Sequence, residues 1–169
     1  PSVFRLSDPE ETDVMMKSYG VEDTFIDKML SLRGYKPMER CLFLGFTDGE
    51  KRFTKVVKRN VHRICRKYGA MYTTGIVTKA WEKGRFADPY MREDLQDYGI
   101  MIDTLECSVN WDQMGAVHQG VRKYCHSRPD TICMTHMSHV YPQGSNLYFI
   151  FLAKMDSIEE YLAYQRGIL

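Results

Sequence analysis

The sequence lacks the features that mark several protein classes. It contains no run of about 18 apolar residues, the length that crosses a bilayer, and no signal peptide. Its five cysteines show no Cys-x-x-Cys spacing, which argues against a zinc site or a disulfide scaffold and favours a reducing compartment. A large charge of one sign is also missing, because the formal net charge is +1. We therefore predict that the protein is not a dedicated nucleic-acid binder.

The composition that remains is that of a folded globular protein. A chain of 169 residues with 44% hydrophobic content suits a single domain. The chain begins at Pro1 without a methionine, and it stops at Leu169 inside a helical pattern. Because native domains more often end in polar, frayed residues, we expect a fragment of a longer protein.

The clearest structural signal is a hairpin near the C-terminal end. Residues 141–144 (Tyr-Pro-Gln-Gly) place proline and glycine where a tight turn needs them, between strands predicted over 131–141 and 145–154. Both faces of the second strand carry apolar side chains, so we expect it to be central and covered on both sides. Alternate residues point to opposite faces: Leu147, Phe149 and Phe151 to one, and Asn146, Tyr148 and Ile150 to the other.

Capping residues and apolar periodicity predict the remaining elements. Strand–helix–strand order occurs twice, over 39–74 and 100–140, with an extra strand and helix. This order predicts an α+β fold with an antiparallel, ferredoxin-like sheet covered by helices on one side. The further strands are predicted at 4–7, 40–46, 70–74 and 100–108, and the helices at 9–17, 21–32, 51–67, 112–126, from 158, and on either side of a break at 84–89 within 76–98.

The predicted helix over 51–67 is basic and amphipathic, with Phe53, Val57, Val61 and Ile64 on its apolar stripe. Its polar face could lie on an anionic membrane or bind nucleic acid. The alternative, which the balanced charge of the whole chain favours, is the solvated outer face of a helix packed on a sheet.

Individual residues give weaker signals. His136 and His139 lie three apart on the predicted strand and point to opposite faces, so we predict no metal site there. Arg92 follows a helix start at Asp88-Pro89, where it either pairs with Asp88 or binds a phosphate or another anion. Taken alone, Tyr148 is more typical of a core tyrosine than of an acid or base.

Two stretches, however, resemble the alkyldihydroxyacetonephosphate synthase family, flavoproteins of the vanillyl-alcohol-oxidase type. The family pattern has an arginine, then twelve residues later a (S/T)-x-E-(T/C)-S segment and a Trp-Asp pair; here these are Arg92, residues 104–108 and residues 111–112. A Tyr-x-x-Gly turn follows, with a second tyrosine seven residues after the first; here these are residues 141–144 and Tyr148. The opening Phe-Arg-Leu-Ser-Asp is similar as well. One position departs, since His136 stands where animal members have arginine.

The resemblance implies that residues 1–169 are the substrate-binding (cap) domain of a two-domain FAD enzyme, without its N-terminal FAD-binding domain and its C-terminal histidine-rich segment. The family exchanges the acyl group of acyl-dihydroxyacetone phosphate for a fatty alcohol in ether-lipid synthesis, through flavin N5. Mapped here, Tyr148 is the catalytic acid/base, Arg92 lies near flavin N5 and the substrate, and Thr104 lines the phosphate pocket. His139 and Tyr141 are further substrate-binding candidates. Tyrosine needs nearby positive charge to act as a base.

The same resemblance sets the expected partners and location. These are a lipid-like phosphate substrate, a fatty alcohol, the protein's own FAD-binding domain, a second copy in a homodimer and the surface of a membrane. The expected location is intracellular, either cytoplasmic or at a membrane, and peroxisomal in a eukaryote. Two alternatives stay open: the cap domain of an FAD-linked 2-hydroxy-acid oxidase or dehydrogenase, and a stand-alone ferredoxin-like module that binds a small ligand or RNA.

Overall fold

A five-stranded antiparallel sheet forms the centre of the protein. The computed structural model describes residues 3–73, 75–84, 86 and 91–169. The strands are Val3–Ser7 (β1), Leu42–Phe46 (β2), Ile100–Asn110 (β3), Ile132–Ser138 (β4) and Gly144–Lys154 (β5), in the order β2-β1-β4-β5-β3. The helices are Pro9–Ser18 (α1), Phe25–Leu32 (α2), Lys51–Lys67 (α3), Ile76–Gly84 (α4), Met91–Gln96 (α5), Met114–Cys125 (α6) and Ile158–Ile168 (α7). The predicted α+β class with an antiparallel sheet is confirmed.

Strand β5 is central, as its apolar alternation predicts, because it pairs along its length with β3 on one side and β4 on the other. Its inner face holds Phe149 and Phe151, 0% and 1% exposed, against α6 and α7. Burying a phenylalanine completely stabilises the fold by roughly 1.5–3 kcal/mol. The predicted apolar stripe of α6 packs on this core: Met114, Val117, Val121 and Cys125. The opposite face of β5 is partly covered in the described chain: Asn146 is buried, and Tyr148, Ile150 and Leu152 are half-buried.

The hairpin turn between β4 and β5 forms at the predicted place. The backbone N–H of Tyr141 donates to the carbonyl of Gly144 at 2.9 Å. A Cβ atom on Gly144 would lie 2.0 Å from the carbonyl oxygen of Val109, so this close approach of β3 requires glycine. The indole N–H of Trp111 donates to the carbonyls of Tyr141 and Pro142, which fixes the turn against the end of β3.

The residue that precedes α1 extends the short contact between β1 and β4. Strand β1 pairs with β4 only at Leu6–Met137 and Ser7–His136. Beyond these pairs, Asp8 caps α1 by accepting a hydrogen bond from the N–H of Glu11 at 2.8 Å. Its own N–H donates to the carbonyl of Thr135 at 2.8 Å, so the cap residue continues the strand contact.

The carboxylates of this first turn then join α1 to α6. Glu10 accepts from the backbone N–H of Cys133 at 3.1 Å and pairs with Arg122 at 2.8 Å. Arg122 also pairs with Asp8 at 2.6 Å. Because these carboxylates are largely buried, they need such partners. The network locks the N-terminal segment onto the sheet.

Four predictions about elements need correction. Helix α2 begins at Phe25 rather than at 21, because the hydroxyl of Thr24 caps it by accepting from Asp27. Residues 70–73 form no strand, so the first strand–helix–strand unit is incomplete. Strand β4 ends at Ser138, and His139 has φ of +52°, so His139 is not on a strand. Among the described residues no strand packs closely on α3. The predicted helix start at residues 88–89 lies outside the described residues.

Two further findings concern the cysteines and the length of the helices. All five cysteines are described and are free thiols. Within the described part of the chain, the helices are too short or too polar to cross a membrane.

Candidate functional site

The half-buried face of β3, β4 and β5 changes from apolar to polar along the strands. Residues that face each other across the strands form four rows on this face. Since neighbouring rows are two residues apart, the set spans about 20 Å. The two rows farther from the hairpin turn are mainly apolar: Ile132, Leu152 and Ile102; and Met134, Ile150 and Thr104. The two rows nearest the turn are mainly polar: His136, Tyr148 and Glu106; and Ser138, Asn146 and Ser108. We call this surface the graded face.

Tyr148 lies in the first polar row, where the apolar half of the graded face ends. Its ring stacks on the imidazole of His136, with ring centroids 5.0 Å apart and planes inclined by 23°. In the described part of the chain its hydroxyl makes no hydrogen bond. On its other side, Glu106 accepts a hydrogen bond from the side-chain amide of Asn146. The phenol is therefore held by its ring, and its hydroxyl is free to bind a ligand.

His136 is fixed in turn by a carboxylate from α1. Its Nδ1 lies 2.9 Å from Oε1 of Glu11, and the same oxygen accepts from the guanidinium of Arg5 at 2.7 Å. Burial raises the pKa of Glu11, but the hydrogen bond from His136 and the charges of His136 and Arg5 outweigh it and hold the pKa below its usual value. An ionised carboxylate can only accept, so Nδ1 of His136 carries a proton. The imidazole is thereby oriented, and its Nε2 makes no hydrogen bond with the residues that the structure describes.

Arg5 has a second contact that ties this chain of groups to α4. Its guanidinium carbon lies 5.8 Å from the ring centroid of Trp81, a cation–π distance. The side chain of Glu11 is 2% exposed and that of Arg5 is 18% exposed. The ion pair is therefore largely removed from solvent and is screened weakly.

The sequence-predicted site residues do not all meet. Thr104 is exposed on the graded face, one row from Tyr148. Arg92 is exposed on α5 and lines a cavity of about 220 Å³ together with Ile100 and Tyr161. Strand β3 runs six residues from Ile100 to the partner of Tyr148, or about 20 Å. The structure thus places Arg92 and Tyr148 apart.

His139 and Tyr141 lie beyond the polar end of the graded face. Both are exposed in the connection between β4 and β5, and Tyr141 is 63% exposed. The described groups of His, Cys, Asp and Glu include no set of three placed to hold a metal ion.

Sequence reasoning missed two members of this site. Glu106 pairs with Tyr148 across the strands, and strand register could have found it, because it lies two residues after Thr104. The contact between Glu11 and His136 joins positions 125 residues apart. No local sequence signal predicts that contact.

Comparison with known proteins agrees with this architecture. The profile of the family described as FAD linked oxidases, C-terminal domain, matches residues 1–165. Alkyldihydroxyacetonephosphate synthase of Dictyostelium discoideum is 26% identical over 178 aligned positions, which cover 97% of this chain and 29% of that protein. Two solved structures of alkyldihydroxyacetonephosphate synthase, in crystal forms P212121 and P1, superpose with TM-scores of 0.78 and 0.79 at 23% identity. Each match covers 99% of this chain and 33% of the solved one.

The chain therefore spans about a third of the proteins that it matches. The similarity to the solved structures establishes the fold, and the profile match extends over nearly the whole chain. By sequence and by architecture, the chain belongs to the family of FAD linked oxidases, C-terminal domain.

Proposed function

We propose that this chain is the substrate domain of an FAD-dependent enzyme of the alkyldihydroxyacetonephosphate synthase type. Such an enzyme exchanges the acyl group of acyl-dihydroxyacetone phosphate for a fatty alcohol. The observation that carries the proposal is the graded face, whose apolar rows suit an alkyl chain and whose polar rows suit a headgroup. Tyr148 stands at the boundary, where the reacting carbon of such a substrate would lie.

The described residues fit FAD as one wall of its site. Tyr148 and the exposed Glu106 lie in the polar half of the graded face, and the exposed Thr104 lies in the adjoining row, so this part of the face is open to a planar ring. These side chains would contact the ring, whereas most of the dinucleotide would be held by another domain. Bound FAD would supply the redox-active ring next to the substrate.

The roles of the chain's own residues follow from their contacts. Tyr148 would move a proton at its phenol oxygen, and its orientation would depend on the stacked imidazole of His136. Glu11 and Arg5 would hold that imidazole in place. Thr104 would contact the phosphate headgroup, and the apolar rows would exclude water from the alkyl chain.

The test is Tyr148→Phe in the full-length protein. Exchange of the acyl group for a fatty alcohol should be lost, while the melting temperature stays within experimental error, because the hydroxyl makes no hydrogen bond within the described chain. The matched control is Tyr98→Phe, at a tyrosine that is 76% exposed and precedes β3, outside the rows of the graded face. Retained exchange in Tyr148→Phe would remove the proposed role of this residue.

A second candidate, an FAD-linked 2-hydroxy-acid oxidase or dehydrogenase, is favoured by the oxidase description of the family profile. The two are separated by assaying the full-length protein for dye reduction with 2-hydroxy acids and for alkyl exchange on acyl-dihydroxyacetone phosphate. Dye reduction without exchange would reject the transferase and favour the oxidase.

A further inference from the structure

His136 joins a buried carboxylate to the phenol of Tyr148. Its Nδ1 lies 2.9 Å from Oε1 of Glu11, and the two side chains are 11% and 2% exposed. The imidazole ring also stacks on Tyr148, with ring centroids 5.0 Å apart. A charge on the imidazole is therefore held directly against the phenol and is screened weakly by solvent.

The charges around His136 balance only while its imidazole is neutral. Glu11 brings one negative charge from α1, and Arg5 of β1 pairs with the same carboxylate oxygen at 2.7 Å. The residues paired with His136 in the sheet are Ser7 of β1 and Tyr148 of β5, whose hydroxyl groups carry no formal charge at neutral pH. Protonation of His136 therefore leaves two positive charges against one negative charge, and the excess lies beside the phenol.

The other neighbour of Tyr148 in its row carries the opposite sign. Glu106 of β3 pairs with Tyr148 across the strands, so the row runs His136, Tyr148, Glu106. Paired residues on neighbouring strands have Cβ atoms roughly 5 Å apart, which is close enough for a carboxylate to disfavour a phenolate. Asn146 donates a hydrogen bond to Glu106 but leaves its charge in place. To act as a base, Tyr148 needs positive charge on its other side that offsets this carboxylate.

We propose that His136 works in its protonated form and supplies the positive charge that stabilises Tyr148 as a phenolate. This role of His136 depends on the function proposed above for Tyr148. The phenol first releases its proton to water, and the phenolate then takes a proton from the substrate and becomes a phenol again. The imidazolium keeps both of its N–H protons throughout, so His136 is a positioning residue that acts through Tyr148.

A charge that comes from histidine makes the site sensitive to pH. An ordinary imidazole loses its charge at about pH 6.5, whereas a guanidinium stays charged at every pH that a folded protein tolerates. Exchange should therefore slow as the pH rises and His136 loses its proton. A permanent cation at the same position should remove this dependence.

The first measurement is the pH dependence of exchange by the full-length protein and by its variants His136→Arg and His136→Gln. Arginine keeps a positive charge, can pair with Glu11 and can stack on the phenol ring. Glutamine can donate a hydrogen bond to Glu11 but carries no charge. In His136→Arg the decrease of kcat at high pH should disappear, and in His136→Gln kcat should be roughly tenfold lower at the acidic end of the range.

The second measurement follows Tyr148 directly and needs no substrate. In full-length protein labelled with carbon-13 at the Cζ of tyrosine, the NMR signal of Tyr148 is the one that is missing in Tyr148→Phe. It should reach its phenolate position about one pH unit lower in His136→Arg than in His136→Gln. A purely structural role of His136 would give the two variants the same titration.

The matched control is His126→Gln. The Nε2 of His126 lies 3.0 Å from Oε2 of Glu10, a second carboxylate in the same turn of α1. His126 is at the end of α6, however, which packs on the inner face of β5. This variant should leave the pH dependence of exchange and the titration of Tyr148 unchanged. Circular dichroism shows whether each variant folds.

Two results would overturn the proposal. The first is the same titration of Tyr148 in His136→Arg and His136→Gln, and the second is unchanged exchange in His136→Gln across the pH range. Absence of exchange in the unmodified protein would instead reject the function proposed above. In that case the titration of Tyr148 would still decide whether His136 acts on the phenol through its charge.

Discussion

Glu11 receives both an ion pair and a hydrogen bond on one carboxylate oxygen, and Asp8, three residues earlier, pairs with Arg122. Burial opposes the ionisation of Asp8, but the hydrogen bond to His118, the cap contact and the charge of Arg122 outweigh it, so its pKa also lies below its usual value. Both carboxyls are therefore more acidic in the folded protein than in the unfolded chain. Ionisation of each one favours folding.

These shifts predict acid sensitivity with a defined sign. The contribution of both groups is complete above their unfolded pKa values of 3.8 and 4.5 and is lost as the pH falls through the lower folded values. The free energy of unfolding, measured with urea, should fall between about pH 5 and about pH 3. Asp8→Asn with Glu11→Gln should reduce stability at neutral pH and flatten this dependence.

The control for that pH series is Asp97→Asn, which removes a carboxyl from an exposed position. Its profile should follow that of the unmodified protein. An unchanged acid slope in the Asp8 and Glu11 double variant would show that other groups cause the acid sensitivity.

Gly144 gives a second prediction about a single residue, on steric grounds. A Cβ atom there meets backbone of Val109 at 2.0 Å, and backbone cannot rotate away as a side chain can. Gly144→Ala should lower the free energy of unfolding by about 3 kcal/mol. By contrast, Gly120→Ala in α6 meets no atom within 4 Å and should raise it by about 1 kcal/mol. Urea unfolding of the two variants measures both changes, and equal effects would contradict the steric account.

Among the elements, β5 and α3 are opposite extremes of burial. Strand β5 is paired on both sides and packed on the core, whereas α3, described in full, buries no residue. Local opening of a segment costs little where few contacts are lost. Amides of α3 should therefore exchange hydrogen roughly a hundredfold faster than those of residues 147–153, measured by mass spectrometry of peptic peptides.

Helix α6 is the internal control for the exchange measurement. It is also amphipathic, but its stripe packs on the core, so its protection should approach that of β5. Equal protection of α3 and β5 would mean that α3 packs on another part of the protein.

Elements defined by local chemistry were predictable from the sequence. The cap at Asp8 with Pro9, the turn at 141–144 and the stripe of α6 all lie where the pattern indicates, because each depends on residues within one or two turns. The strand expected at 70–74 does not form at 70–73, since a strand exists only where a partner pairs with it. The apolar stripe over residues 51–67 predicts that they form a helix, but it does not predict that the helix is exposed.

The candidate site was predictable only in part. Tyr148 and Thr104 share a face because of strand periodicity, and the sequence resemblance indicates their roles. Neither source predicts that Glu11 orients His136 or that Arg92 lies beside Ile100, which is about 20 Å along β3 from the partner of Tyr148. Such relations depend on how distant segments meet, and one sequence does not contain that information locally.

At the scale of the whole molecule, the graded face is proposed above as one wall of a site. The cavity along α3 and the cavity beside Arg92 are both lined by residues outside the graded face. The 169-residue chain, purified alone and incubated with FAD, should therefore elute from gel filtration without stoichiometric flavin absorbance. Full-length protein is the control. A yellow 169-residue chain would contradict the proposal that another domain holds most of the FAD.

The junction of β1 with β4 has a consequence for the order of folding. Strands β3, β4 and β5 and helix α6 lie close together in sequence and can assemble early, since closing a short loop costs less chain entropy. The two residue pairs between β1 and β4, and the contact of Glu11 with His136 across 125 positions, require the start of the chain to return to its far end. We therefore expect the Glu11–His136 contact to form late, so that the environment of His136 should report the completion of folding.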